Sequence, residues 1–255
     1  MKNTSLHHRL KSLEFLEKPD WQALEKLFEN EEHAHAGAQI VREKETMNRT
    51  RFLVKGWAYR YKLLPDGRRQ ILNFLLPGDI IGFYAIMRNQ SDYGVDALTP
   101  IELIVFPAAQ LVNIVSGTPR LILALSWIAA QSERLLDEQI TRIGRRNAAV
   151  RMAHLFVELF LRQLNAGFLQ ERARFLPLSQ SILADALGMS HVHANRSFKL
   201  LARDGAVSIQ HSQIHLDNIE ALASRADFDT NYLKQISVPE KTKEAIEDKK
   251  SFFSL

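Results

Sequence analysis

Four residues in the C-terminal third carry the most specific chemistry of the chain: His191, Val192, Asn195 and Arg196. Their spacing puts them on one side of a helix, near its N-terminal end. An arginine there can grip guanine through two hydrogen bonds, an asparagine can serve adenine or a phosphate, and a valine can pack on a thymine methyl. Ser190, His193, Lys199, Gln180 and Ser181 surround them and are types that hold phosphates, which fixes register without reading sequence. The chemistry these residues suit is base readout by an inserted helix. An ordinary helical hairpin with a polar face would carry the same residue types, so the weight falls on the elements that position them.

Those elements are written in Leu178 to Leu201, LSQSILADALGMSHVHANRSFKLL. Ser179 suits an N-cap, with Leu178 before it as a hydrophobic staple. A first helix is expected over Gln180 to Leu187, its inner face formed by Leu183, Ala186 and Leu187. Gly188 ends it where the backbone needs a positive φ. Ser190 caps a second helix whose buried stripe is Ala194, Phe198 and Leu201. A short helix, a glycine turn and a second capped helix make a helix-turn-helix, which lays its second helix in the DNA major groove.

The composition permits this reading without forcing it. The chain has 255 residues, 46% hydrophobic and 24% charged, with a net charge of +4 and a pI near 9.3. Between Ser179 and Asp217, Arg196, Lys199 and Arg203 are balanced by Asp185, Asp204 and Asp217. A positive field is therefore expected from Arg142, Arg145, Arg146 and Arg151 nearby. There is no cysteine, which excludes disulfides, a thiolate-held iron–sulfur cluster and a cysteine nucleophile. No apolar run has signal-peptide character or the length of a membrane span, so no membrane partner is expected and the expected compartment is the cytoplasm. His33 and His35 have a spacing that strands can use for metals, but no metal site is expected. With no phosphate-cradling glycine loop and no activated nucleophile, neither catalytic residues nor an enzyme are expected.

In order, residues up to about Glu32 read as short helices, one starting at Pro19-Asp20 with Trp21, Leu24, Leu27 and Phe28 as its apolar face. From His35 to Ala109 short strands alternate with turns. Phe52 to Tyr61, Ile71 to Leu76 and Glu102 to Phe106 are strand-like, and Pro65-Asp66-Gly67 marks a hairpin with Arg68-Arg69 exposed on it. Pro119 to Ile143 is one long helix. Ile122, Leu125, Ala129, Ser132, Leu136, Ile140 and Ile143 form one apolar stripe, and Leu121, Ile128 and Leu135 another. One face would pack on the strands and the other on a second copy, giving a C2 dimer suited to a palindrome. Gly144 marks a hinge. Arg145 to Gln163 is a further helix, Phe175-Leu176 a short strand, and Val207 to Leu216 a hairpin around His211-Ser212, the wing. Ile219 to Ala226 is a last helix, and the tail reads as disordered. The expected division is 1–118 sensor, 119–144 dimerisation helix, 145–233 DNA-binding domain and 234–255 tail.

The run Leu64-Pro65-Asp66-Gly67-Arg68-Arg69-Gln70-Ile71, followed by Phe74-Leu75-Leu76-Pro77-Gly78-Asp79-Ile80-Ile81-Gly82, resembles the β-roll of the bacterial cyclic-AMP receptor protein / fumarate-nitrate regulator (Crp/Fnr) family. So does the order that follows: long helix, helix-turn-helix, wing. The resemblance covers about Phe15 to Leu233. Gly-Met-Ser-His-Val-His-Ala-Asn-Arg is similar to members that use neither the cyclic-AMP receptor's nor the oxygen sensor's recognition residues. The resemblance implies an α+β fold: an N-terminal double-stranded β-helix, a long dimerisation helix and a C-terminal winged helix-turn-helix. It also implies duplex DNA, a second copy and RNA polymerase as partners. The family's nucleotide pocket is altered. Gly82 is followed by Phe83 where the pattern has Glu, the loop is shorter, and Ser91-Asp92 or Asp92-Tyr93 stands where it has Arg-Ser. An Asp repels a phosphate, so cyclic AMP is not expected in the usual mode. Gly82, Phe83, Tyr84, Arg88, Ser91 and Asp92 remain the candidate effector positions, with Arg88 open to some other anion. Phe83, Tyr84, Ile86, Met87 and Tyr93 are read as core before pocket. The competing reading is a small-molecule or haem sensor with secondary DNA binding, in which His33, His35 or His154 would be the axial ligand.

Overall fold

The fold is that of a computed structural model, which describes residues 7, 8, 10, 13 and 15–234. The tail beyond Lys234, with Phe252-Phe253, lies outside the described residues, as do Tyr84 and Ile86 with respect to their side chains.

Alternation of apolar and polar residues drives the N-terminal half into two four-stranded antiparallel sheets. One joins β1 (Glu31–Ala34), β8 (Ile101–Pro107), β3 (Arg49–Lys55) and β6 (Ile80–Ile81). The other joins β2 (Gln39–Val41), β7 (Gly94–Ala97), β4 (Ala58–Leu63) and β5 (Arg69–Leu75). Between them lies a core of Val41, Leu53, Leu75, Ile81, Val95 and Val105 among others. The strand-like stretch from Phe52 to Tyr61 forms two strands, β3 and β4, parted at the Lys55-Gly56 turn signal. At Gly56 φ is +81° and a Cβ would sit 2.2 Å from the Pro100 carbonyl oxygen, so no other residue fits without moving backbone. The β4–β5 turn forms at Pro65-Asp66-Gly67 as expected, closed by Gly67 N–H to the Leu64 carbonyl at 2.9 Å.

Helix α1 (Lys18–Glu25) starts where Pro19-Asp20 indicated, and Asp20 Oδ2 accepts from the Glu17 N–H at 2.7 Å. Leu24 and Leu27 are buried against Phe52, Phe106, Leu111, Leu121 and Ile128. The next residues depart from expectation. Strand β1 begins at Glu31, inside the segment read as helical up to about Glu32. Its side chains are mostly exposed, so it carries no hydrophobic alternation, and backbone pairing of Glu31 to Ala34 with Ile104 to Ile101 makes it a strand. A helix α2 (Ala108–Ser116) after β8 was not anticipated either.

Helix α3 (Pro119–Arg145) is the long helix, with proline in its first turn. It runs through Gly144, and the break falls at Arg146, in extended conformation, and Asn147, whose side chain caps α4 (Ala148–Asn165) by accepting from Val150 N–H at 3.1 Å. Asn147 outcompetes Gly144 because a cap satisfies N–H groups that the new helix leaves open, whereas a glycine only tolerates a break. After α4 come α5 (Gln170–Ala173), β9 (Phe175–Leu176), α6 (Gln180–Leu187), α7 (His191–Arg203), β10 (Val207–Gln210), β11 (Gln213–Leu216) and α8 (Ile219–Ala226). The three strands form a small sheet in the order β10-β11-β9.

Candidate nucleic-acid interface

Helices α6 and α7 have the bounds and caps that the sequence indicates. Ser179 Oγ accepts from Ile182 N–H and Ser190 Oγ from His193 N–H, both at 3.3 Å. Gly188 has φ +58°, the left-handed conformation that turns α6 into α7. Leu183, Leu187, Ala194 and Leu201 are fully enclosed, and Phe198 is 7% exposed. The pair is thereby packed onto α4 through Phe156, Leu159 and Phe160.

With one side of α7 buried, the other is open. His191, Val192, His193, Arg196 and Lys199 are exposed and Asn195 is half-buried. Val192 is a large apolar side chain left 67% exposed. Asn195 Nδ2 donates to Gln180 Oε1 at 2.7 Å, so these two candidate contacts form one unit across the helix pair. Ser181 Oγ lies 2.8 Å from Ser179 Oγ, both exposed. The wing turn has His211 at φ +50° and Ser212 at φ +60°, the left-handed pair that a two-residue hairpin loop requires. His215 faces Phe175 and is held by Asp217 at 2.7 Å and Gln210 at 3.0 Å.

What the sequence did not disclose is how this surface is mounted. One hydrophobic core runs from the outer face of β4–β5 (Trp57, Tyr59, Tyr61, Ile71, Phe74) into α4, α6 and α7. Each large apolar side chain moved into such a core contributes roughly 1.5–3 kcal/mol. Polar groups cross the same boundary. Arg69 Nε and Nη2 donate to Asp185 Oδ2 on α6 at 3.0 and 2.9 Å, and its Nη1 donates to the Tyr59 hydroxyl at 2.7 Å. Arg69 is thus a bridge, not the exposed hairpin residue expected. Arg68, paired with Asp66, does lie in solvent. Gln139 of α3 and Gln70 of β5 both donate to the Ala186 carbonyl, at 2.6 and 3.3 Å. Arg162 of α4 donates to the Phe74 carbonyl at 2.8 Å and pairs with Asp79 at 3.0 Å.

Arg142, counted above among the sources of a positive field, is 1% exposed. Its guanidinium is spent on Gln139, on Glu158 and, through Nε, on His154 Nδ1 at 3.2 Å. A charge buried and neutralised in this way adds little to a surface potential, so that expectation is corrected. Arg146 pairs with Glu138, and Arg151 is turned onto the Arg146 and Leu187 carbonyls. Tyr232 donates to Glu158 at 2.9 Å, and burial followed by the Glu158 charge pushes its phenol far up. His154 is 1% exposed, with rings of Phe228 and Tyr232 beside it. Burial and then the Arg142 and Arg146 charges lower its pKa to about 2. Its Nδ1 accepts from Arg142, which places the ring proton on Nε2, 3.4 Å from a Glu138 carboxylate oxygen. His33 and His35 are exposed.

On the expected dimer stripe, Ile122 and Ile140 are 46% and 66% exposed, and Ala129, Ser132, Leu136 and Ile143 are half-buried. Leu125 is the exception: it lies on the flank nearer the roll and is buried in this chain's own core, with Leu121 and Ile128. At the candidate effector positions Gly82 is buried. Phe83 packs with the α1–α3 core. Ser91 Oγ donates to the Tyr93 carbonyl at 2.7 Å, and Arg88 pairs with Asp92 at 2.5 Å in solvent. Met87 is 81% exposed, so Phe83, Met87 and Tyr93 do not converge.

Residues 31–117 match the cyclic nucleotide-binding domain family and residues 150–225 the Crp-like helix-turn-helix domain family. The chain is 32% identical over 165 residues to the nitrogen fixation regulation protein FixK of Rhizobium meliloti, covering 64% of this chain and 72% of that protein. It is 29% identical over 195 residues to FixK of Bradyrhizobium diazoefficiens, covering 75% and 81%. The solved structure of FixK2 from Bradyrhizobium japonicum superposes with a TM-score of 0.68 at 25% identity, covering 76% of this chain and 96% of that one. Among the described residues no helix is long and apolar enough to cross a membrane. An α+β architecture of roll, long helix and winged helix-turn-helix, matched over both halves and with these relatives, makes the chain a member of the Crp/Fnr family of DNA-binding transcription regulators.

Proposed function

We propose that the chain binds a palindromic duplex site as a homodimer and regulates transcription there with RNA polymerase, each protomer reading one half-site about one helical turn from the other. The observation that carries this is the face of α7. His191, Val192, Asn195 and Arg196 are presented together beside a capped N-terminus whose other side is packed shut. Arg196 is the guanine reader, Asn195 acts together with Gln180, and Ser181, Ser190, His193 and Lys199 hold phosphates. The apolar strip of Ile122, Ala129, Leu136, Ile140 and Ile143 on α3 supports pairing with a second copy. Cyclic AMP in the family's usual mode is disfavoured, because Ser91 is closed on backbone and Asp92 is beside it. The test is selection of bound sequences from random duplex DNA by the purified protein. Recovery of a two-fold symmetric motif supports the reading, and recovery of no motif overturns it.

A second reading, an anionic effector in the roll, is favoured by one observation. Arg60 Nε and Nη2 and Arg51 Nε are enclosed without a hydrogen-bond partner among the described residues, and the Arg60 guanidinium lies 4.9 Å over the Tyr93 ring. Buried unpaired guanidinium nitrogens are costly, and an acceptor ligand would relieve the cost. Thermal stabilisation by organic phosphates or carboxylates, abolished in Arg60→Leu, would support it. No shift with any anion counts against it.

A further inference from the structure

Binding two half-sites at once demands that the two α7 helices sit one DNA turn apart and face the same side of the duplex. Moving a half-site by one base pair displaces it along the axis by about 3.4 Å and turns it by roughly a tenth of a revolution. The covalent link between the dimerisation helix and α4, the first helix of the DNA-binding half, is Arg146-Asn147, two residues outside the helices. Two residues, even with Arg146 paired to Glu138 and Asn147 capping α4, are a short lever for holding an angle of that size at α7. Non-covalent contacts must do so.

Several such contacts hold the helix after the link, among them Arg142 with Glu158 and Arg162 with Asp79, but the set that reaches the reading pair directly lies at the last turn of α6. Gln139 sits on α3 next to Ile140. Gln139 is 7% exposed and Ile140 66% exposed, so adjacent residues of one helix face the DNA-binding domain and the strip offered to a second copy. Gln139 Nε2 reaches the Ala186 carbonyl at 2.6 Å. One residue earlier, Asp185 takes two N–H groups of Arg69. Arg69 is itself fixed by the Tyr59 hydroxyl and lies 4.9 Å over the Tyr59 ring. Two residues after Ala186 comes Gly188, then Ser190 and α7. The path from dimer strip to reading helix is therefore α3, Gln139, the end of α6, a three-residue turn, α7, with Arg69 bracing it from β5.

We propose that this clamp specifies the spacing between half-sites, with Arg69 and Gln139 as positioning residues that touch no DNA. The proposal rests on the dimeric reading above. Its consequence is that damage to the clamp leaves recognition of a single half-site intact and relaxes only the preference for one spacing.

The absence of native cysteine allows a direct test. A nitroxide on Arg203→Cys, at the far end of α7, reports the distance between the two reading helices in the full-length dimer. The background chain is expected to give one narrow distance distribution. Arg69→Asp and Asp185→Arg should each broaden it, and the two together should narrow it again by restoring the ion pair with reversed sign. In parallel, the background chain should bind a palindrome with one base pair inserted between half-sites roughly tenfold or more weakly than its selected site. The single variants should lose most of that preference, and the double variant should regain it. If Arg69→Asp does not fold, Arg69→Leu and Gln139→Leu take its place. Narrow distributions and unchanged spacing preference in folded single variants overturn the clamp while leaving the DNA-binding reading in place. A background chain that binds no palindrome at all overturns both.

Discussion

The reading face of α7 and the junction behind it are built from the same residue types and use them in opposite ways. On the face, Arg196, Lys199, Asn195 and Gln180 stand in or near solvent with few protein partners. At the junction, Arg142, Arg162 and Gln139 are at most 9% exposed and nearly every polar atom is matched. An arginine that has spent its donors on Glu158 and Gln139 cannot read a base; it fixes geometry. An arginine with free donors on a packed helix can read, because the buried side of that helix already holds it in place. Burial, not residue type, separates orientation from recognition in this molecule.

The largest effects are expected at the junction. Glu158→Ala strips Arg142 and Tyr232 of their shared partner and leaves a guanidinium buried without a counter-charge. The expected loss is about 3–5 kcal/mol by chemical denaturation. Replacing the pair together, Arg142→Met with Glu158→Leu, should recover most of it, since the cost lies in the unpaired charge.

Acid should act on the same region. His154 has a folded-state pKa of about 2 against an ordinary 6.5, so the unfolded chain takes up a proton that the native state refuses. The stability tied to neutral His154 is whole above about pH 6.5 and declines as the pH falls towards 2. At pH 5 the loss is about 2 kcal/mol, and His154→Gln should flatten that part of the curve.

On the reading face the effects move from stability to affinity. Arg196→Ala should leave the melting temperature unchanged, cost about 1–3 kcal/mol of specific binding and relax preference at one base pair of each half-site. Lys199→Ala should be the mildest. Binding should weaken alike on all sequences, and the slope of log affinity against log salt should fall by about 1 for each phosphate that Lys199 no longer neutralises.

The reading face was legible in the sequence because its signals are local. Ser179, Gly188 and Ser190 are caps and turn residues whose meaning depends on the next few positions, and the wing turn at His211-Ser212 is of the same kind. The strip on α3 was legible through periodicity, except Leu125, whose angle on the helix puts it against its own roll. The junction was not legible. Arg69 and Asp185 are 116 residues apart, and neither carries a mark that distinguishes a half-buried bridge from a solvated charge. Arg142 sits in a run of arginines, and only the fold shows that it alone points inward. Strand β1 was missed because backbone pairing, not side-chain pattern, makes it a strand.

Base reading by α7 from a twofold body is tested by titrating the purified protein against its selected palindrome and a scrambled duplex of equal length, at several salt concentrations. Binding to the palindrome should be tighter by roughly a thousandfold or more, with the gap persisting as salt weakens both. Equal affinity for the two duplexes at every salt concentration would contradict it.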